Sequence, residues 1–282
     1  MKKIIVRTLT GAVFVFLLAG ATIFSPITFT ALFAAAAAMT VWEFTGLVND
    51  YAGASTNRMI PSVAAFYLVV AFGGFSAGYT PSAGFIPYLL SMIYLLVSEL
   101  YLRQPDPLKN WAYAFASQIY IALPFALLSV LAFRFDAMTN RTVYEWVYPL
   151  SVFIFLWAND SGAYLAGSLL HKRFPARLFP RISPAKSWVG SVSGVVLTLV
   201  AASLVHYFFP GRQTAAGWAG LALTVCLFGT WGDLVESLLK RQLGIKDSGN
   251  MLPGHGGMLD RFDSALLAIP AAVLYFYTLA LF

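Results

Sequence analysis

The feature that most constrains this chain is its succession of apolar runs, most of them about 20 residues long, the length that crosses a bilayer core. They cover 10–24, 27–47, 59–76, 83–102, 111–134, 146–169, 188–209, 215–239 and 264–282. Turn chemistry separates them at Ser25-Pro26, Asn49-Asp50, Thr80-Pro81, Pro105-Asp106-Pro107, Phe179-Pro180 and Pro210-Gly211. Hydrocarbon offers no water to a stray N–H or C=O, so runs of this hydropathy read as helices. The expected fold is all-α: a polytopic transmembrane helical bundle of about nine spans, forming a single integral membrane domain over 1–282. A 59% hydrophobic share and a mean hydropathy of +0.74 lie far from soluble domains. The first run follows Lys2, Lys3 and Arg7 and contains Ala19-Gly20-Ala21, the pattern of a cleaved secretory signal. Because the run continues past that site and further spans follow, an uncleaved first helix fits better.

Orientation follows from the basic residues. With the N-terminus in the cytoplasm, 15 of the 18 Lys and Arg fall on the cytoplasmic side, and only Arg134, Arg141 and Arg212 lie opposite. That positive-inside bias puts the C-terminus outside and the charged loops 170–187 and 240–262 inside. The net charge of +6 is thus explained by topology rather than by nucleic acid. Trp42, Trp111, Trp146 and Trp188 sit near span ends as interfacial anchors. The single Cys226 lies in an apolar run and excludes a cysteine-based metal site or a disulfide framework.

Charge is concentrated where it is most expensive. Only 30 of 282 residues are charged, yet the 27 positions 237–263 hold seven of them: Lys240, Arg241, Lys246, Asp247, Asp260, Arg261 and Asp263. Asp233 and Glu236 lie just upstream, three residues apart and so on one helix face. Lys240, four beyond Glu236, makes an ordinary helix ion pair the bland alternative for that acid, though it leaves Asp233 without a partner. Asp260 and Asp263 repeat the spacing, where complementing a helix N-terminus is the alternative reading. Asp160 lies inside the sixth apolar run; such an acid costs about 2.5–3.5 kcal/mol on insertion scales and faces a cavity or a partner. Asp160, Asp233, Glu236, Asp260 and Asp263 form a pool of oxygen ligands suited to Mg²⁺, with one or two ions equally open. Gly254, Gly256 and Gly257 flank His255 and allow close backbone approach, weak signals alone but a phosphate cradle beside Lys240, Arg241, Lys246 and Arg261. Lys186 precedes a span, where a topological anchor is the alternative reading. Gly190 and Gly194 have the small-xxx-small spacing of packed helices.

These residues resemble the phosphatidate cytidylyltransferase (CDP-diacylglycerol synthase) family. Ser237, Lys240-Arg241, Lys246-Asp247, Gly249, Leu252-Pro253, His255-Gly256-Gly257 and Asp260-Arg261-Phe262-Asp263 match its signature in spacing as well as identity. Asp160-Ser161-Gly162-Ala163-Tyr164 and Ser183-Pro184-Ala185-Lys186-Ser187-Trp188 are similar to two further family motifs, in the same order. The second departs from the pattern at Ala185 and Val189, where the family commonly has Lys and Glu. The motifs fall within 155–263; the first five helices are similar only in being apolar.

The resemblance implies a membrane enzyme that joins CTP to phosphatidic acid, giving CDP-diacylglycerol and pyrophosphate with Mg²⁺, and a homodimer. The positive-inside count adds a cytoplasmic active site, and the short loops suggest a prokaryotic plasma (inner) membrane. By the resemblance, Asp233 and Asp260 are the principal metal ligands, with Asp160, Glu236 and Asp263 supporting. Lys186, Lys240, Arg241, Lys246 and Arg261 hold phosphates and His255 contacts the leaving pyrophosphate. Ser183, Ser187, Asp247, Gly256 and Gly257 complete the substrate site. Other classes fit less well. A transporter spreads intramembrane acids over several helices, a CDP-alcohol phosphotransferase needs an Asp-rich motif absent here, and a polyprenol kinase is the nearer lipid-enzyme alternative.

Overall fold

The computed structural model describes residues 2–136, 138–170, 173–249, 251 and 256–279, with side chains from residue 8 onward. The chain divides into two compact units, Met1–Val147 with Gln242–Phe262, and Tyr148–Arg241 with Asp263–Phe282. The first contains α1 (Lys2–Phe24), α2 (Pro26–Ala52), α3 (Met59–Ser76), α4 (Ile86–Leu102), α5 (Pro107–Ser117) and α6 (Leu123–Ala132), then a hairpin of β1 (Phe133–Asp136) and β2 (Arg141–Tyr144). The second holds nearly all of α7 (Val147–Leu170), a hairpin of β3 (Arg177–Phe179) and β4 (Ser183–Ser187), α8 (Trp188–Phe208) and α9 (Ala215–Gln242). The last helix, α10 (Leu259–Leu279), begins in the first unit and continues in the second. Seven helical segments among the described residues are long and apolar enough to cross a membrane, which makes this an integral membrane protein of all-α class.

Local chemistry sets the helix ends. Ser25 caps α2, its Oγ accepting from Thr28 N at 3.1 Å, with Pro26 at the first helical position. Asp106 does the same for α5, accepting from Lys109 N at 3.0 Å ahead of Pro107. One π-helical turn, Gln118–Ala122, joins α5 to α6 just before Pro124, whose missing N–H interrupts the regular ladder, so the pair makes a single apolar span.

The structure departs from the sequence expectation in three places. Asn49-Asp50 does not break α2, because the Asn49 side chain is used elsewhere: its Nδ2 donates to Thr56 O and its Oδ1 accepts from Thr56 N, both at 2.8 Å. The helix instead ends at Gly53, whose φ of 66° places it in the left-handed region. The apolar run 111–134 begins as a helix at Pro107 and stops at Ala132, where the chain turns into β1. The loop 170–187 contains the β3–β4 hairpin, which presents Lys186.

Each unit has its own core. In the first, Phe125 packs edge-on to Phe262 at 4.8 Å between centroids, and Phe29 and Phe33 meet at 5.0 Å. In the second, fully buried Trp218 stacks on Tyr148 at 5.6 Å, and the Tyr148 hydroxyl donates to Arg212 O at 2.7 Å. Glycines allow α7 and α8 to touch backbone to backbone. A Cβ at Gly162 would lie 2.8 Å from Ser193 O, and one at Gly190 would lie 3.0 Å from Ala163 O.

Candidate active site

In the second unit, α9 and α10 cross at Gly232, where an added Cβ would lie 2.6 Å from Asp263 O and 3.0 Å from Ser264 Cα. No larger residue permits that approach. It seats Asp233 and Glu236, one helical turn apart, against Asp263, so that one carboxylate oxygen from each lies within 4.8 Å of the others. Ser237, the first residue of the signature, donates from Oγ to Asp233 Oδ1 at 3.2 Å, and Ser264 N donates to Asp263 Oδ1 at 2.6 Å.

Two lysines face these acids. Lys240 Nζ lies 2.6 Å from Glu236 Oε2, so the helix ion pair expected as the bland alternative is formed. Lys186 Nζ, from β4, lies 2.6 Å from Asp233 Oδ2 and donates to Thr230 O at 3.5 Å. Asp233 is therefore not left without a partner, which corrects the sequence-level expectation. The two pairs differ in setting. Glu236 is fully buried, whereas the side chains of Lys186 and Asp233 are 22% and 31% exposed.

Lys186 and Asp233 line a cavity of about 230 Å³ together with Asp160 and Asn159 of α7 and Ser187. The capping of α8 shapes its wall: Ser187 Oγ accepts from Gly190 N at 3.2 Å, which turns the chain from β4 into the helix directly after Lys186. Ser183 begins β4 opposite Phe179. Asp160, Ser187, Lys186, Asp233, Glu236, Lys240 and Asp263 are thus collected in one unit, although they come from three helices and a strand. Three hard carboxylates within a few ångströms, beside cationic side chains and an open cavity, suit a divalent cation and a phosphate. The oxygen donors fit Mg²⁺ in type and number.

Apart from Arg241, which ends the long stretch of the second unit, the remaining signature residues belong to the first. Asp260 Oδ2 accepts from Ser248 N at 3.0 Å and from Gly257 N at 2.9 Å, tying these two residues to the start of α10. Gly256, in the loop that precedes α10, has a φ of +80°, which only glycine adopts at little cost. Arg241, Lys246, Asp247 and Arg261 are exposed. His255, with Leu252, Pro253 and Gly254, lies outside the described residues.

Sequence reasoning missed an acid that holds this loop from outside it. Glu43, in the middle of the apolar α2, accepts from Ser248 Oγ, from Met258 N at 2.8 Å and from Leu259 N at 3.1 Å. Its signal was available, since an acid in an apolar span calls for a partner. Glu99 of α4 is a second such acid, accepting from Asn110 Nδ2 at 3.2 Å.

Comparison with known proteins follows the same lines. The model of a "Cytidylyltransferase family" matches residues 5–279. A phosphatidate cytidylyltransferase of Haemophilus influenzae is 37% identical over 179 residues, 62% of this chain and 59% of the relative. One of Bacillus subtilis is 35% identical over 219 residues, 71% of this chain and 79% of the relative. One of Staphylococcus aureus is 43% identical over 123 residues, 44% of this chain and 46% of the relative. The match to the Haemophilus protein thus spans less than two thirds of that relative's length, while the family model runs through both units. On this agreement of motifs, model and relatives, the chain belongs to the cytidylyltransferase family.

Proposed function

We propose that this protein is a CTP:phosphatidate cytidylyltransferase, making CDP-diacylglycerol and pyrophosphate from CTP and phosphatidic acid in phospholipid biosynthesis. The observation that carries the reading is the convergence of Asp233, Glu236 and Asp263 with Lys186 and Lys240, where Lys186 and Asp233 line a cavity. Family membership and the names of the relatives support the substrates.

In the reaction, an oxygen of the phosphatidate phosphate attacks the α-phosphorus of CTP. A new phosphoanhydride bond forms, the bond between the α- and β-phosphates breaks, and pyrophosphate leaves with the electron pair. The nucleophile is already anionic, so positioning and charge neutralisation do most of the work, without a strong general base. Asp233, Glu236 and Asp263 would hold Mg²⁺, with Asp160 near them and Asp260 bracing the loop; Asp260 is a ligand as well on the family's pattern. When bound, the ion supplies positive charge to the phosphate oxygens. Three carboxyl groups stand against two ammonium groups in the cluster, before Asp160 is counted. A phosphate-bearing ligand gives Lys186 and Lys240 a second anion to pair with, so both can turn from acid to substrate. Arg241, Lys246 and Arg261 supply further phosphate contacts, Ser187 lines the cavity, Ser183 of the same strand contacts substrate, and His255 meets the leaving group. The chain acts as a single membrane domain and as a homodimer in a bacterial inner membrane. The 15-to-3 distribution of basic residues supports a cytoplasmic site.

The test is pyrophosphate release by purified protein in detergent with CTP, phosphatidic acid and Mg²⁺. Release that requires all three components, with CDP-diacylglycerol as the lipid product, is the expected result. No release by well-folded protein sinks the reaction.

A further inference from the structure

We infer that Glu43 is a positioning residue for the signature loop, acting through Ser248 on Asp260. The kinetic part of this inference rests on the cytidylyltransferase reading; the structural part does not.

Glu43 is 8% exposed within an apolar helix. A carboxylate in that setting requires donors, and it has three, all from a stretch more than 200 residues further along the chain. Met258 N and Leu259 N are among the N–H groups that the first turn of α10 leaves without helical acceptors. The carboxylate takes both and complements the positive end of the helix. The third donor is the Ser248 hydroxyl, whose oxygen in turn accepts from Asp260 N at 3.3 Å, while Ser248 N donates to Asp260 Oδ2 at 3.0 Å. Glu43, Ser248 and Asp260 therefore form one connected network. The loop is shaped for it: a Cβ at Gly249 would lie 2.9 Å from Glu43 Oε2, and a Cβ at Gly257 would overlap the same carboxylate. Two glycines of the signature are thus explained by an acid outside the signature. The loop bearing Lys246, Asp247, Gly256 and Gly257 has its shape set by α2.

The experiment uses the full chain in detergent and two readouts, hydrogen exchange by mass spectrometry and steady-state kinetics. Glu43→Gln keeps the size but turns one acceptor oxygen into a donor facing donors. Exchange should quicken in peptides containing Ser248, Met258 and Leu259 and stay unchanged in α8. The kcat should fall about ten- to a hundredfold, the scale of a small misplacement near the chemistry. Glu43→Asp, with both acceptor oxygens on a shorter stem, should recover part of it. Ser248→Ala should give the same pattern, and the double variant should be no worse than the poorer single one, as expected for residues acting as one unit. Where Glu43→Gln does not fold, Ser248→Ala carries both readouts. Unchanged loop exchange, unchanged kcat in an active enzyme, or losses that multiply in the double variant overturn the inference. An inactive wild type defeats the proposed reaction alone, and the exchange arm still decides whether Glu43 holds the loop.

Discussion

The two units keep their acids in apolar surroundings by different means. In the second, Asp233 and Glu236 are paired with ammonium groups on flexible stems, beside a cavity. In the first, Glu43 is held by backbone N–H groups and one hydroxyl. A lysine can swing to a better anion and expose the acid it leaves. A backbone donor cannot move without moving the chain. Exchangeable partners therefore suit acids that meet ligands, and fixed partners suit acids that shape a loop.

The largest expected effect tests the first half of that contrast. Asp233→Asn removes a charge from the cluster without changing its size. It should lower kcat by about 10²–10³-fold, the usual loss when a group that stabilises transition-state charge is removed. The unfolding midpoint should hardly change, because Asp233 is part-exposed. A variant that loses stability in step with activity would place Asp233 among the fixed acids.

The lysines divide the contrast further. Lys240→Ala leaves fully buried Glu236 without its ammonium partner and should cost about 3–5 kcal/mol of stability, the range for breaking buried pairs. Lys186→Ala opens a pair that solvent reaches, worth about 1 kcal/mol or less in stability. Its cost should appear instead in the KM for CTP. Thermal unfolding and substrate titration of both variants read the two quantities separately, and equal stability losses would contradict the assignment.

These contrasts also show what the sequence made legible. All nine apolar runs correspond to helical segments, because hydropathy and the need to satisfy backbone groups act along the chain. The three-residue spacing of Asp233 and Glu236 was readable for the same local reason. Their meeting with Asp263 was not, since it depends on Gly232 letting two helices touch. Glu43 went unread because its partners lie far along the chain and it belongs to no motif. The hairpins escaped because strands of three to five residues at span ends carry almost no periodic signal.

A smaller effect probes the fixed acids. Gly257→Ala puts a methyl group into the Glu43 carboxylate, and overpacking of this kind costs about 1–3 kcal/mol. Gly244→Ala, in open space with a φ of +70°, should cost only the roughly 1 kcal/mol of left-handed strain. If Gly257→Ala unfolds no earlier than Gly244→Ala, the close seating of Glu43 against the loop is wrong.

The smallest effect comes from an acid that serves neither purpose. Asp136, in the β1–β2 hairpin, accepts from Thr139 Oγ1 at 2.8 Å and from Met138 N at 3.0 Å. These bonds, the threonine hydroxyl first, hold its carboxyl below the ordinary 3.8. Because the folded value is the lower one, the stabilisation is complete above pH 3.8 and is lost as pH falls through the folded value. Asp136→Asn should therefore unfold slightly earlier than wild type at neutral pH, with the gap closing on acidification and kcat unchanged throughout. Asp136 resembles Glu43 in its kind of partners but is only half-buried, and its partners Thr139 and Met138 lie outside the signature loop, so a change in kcat would show that backbone-held acids outside that loop also reach the reaction. Unchanged kcat leaves burial against that loop as what sets Glu43 apart.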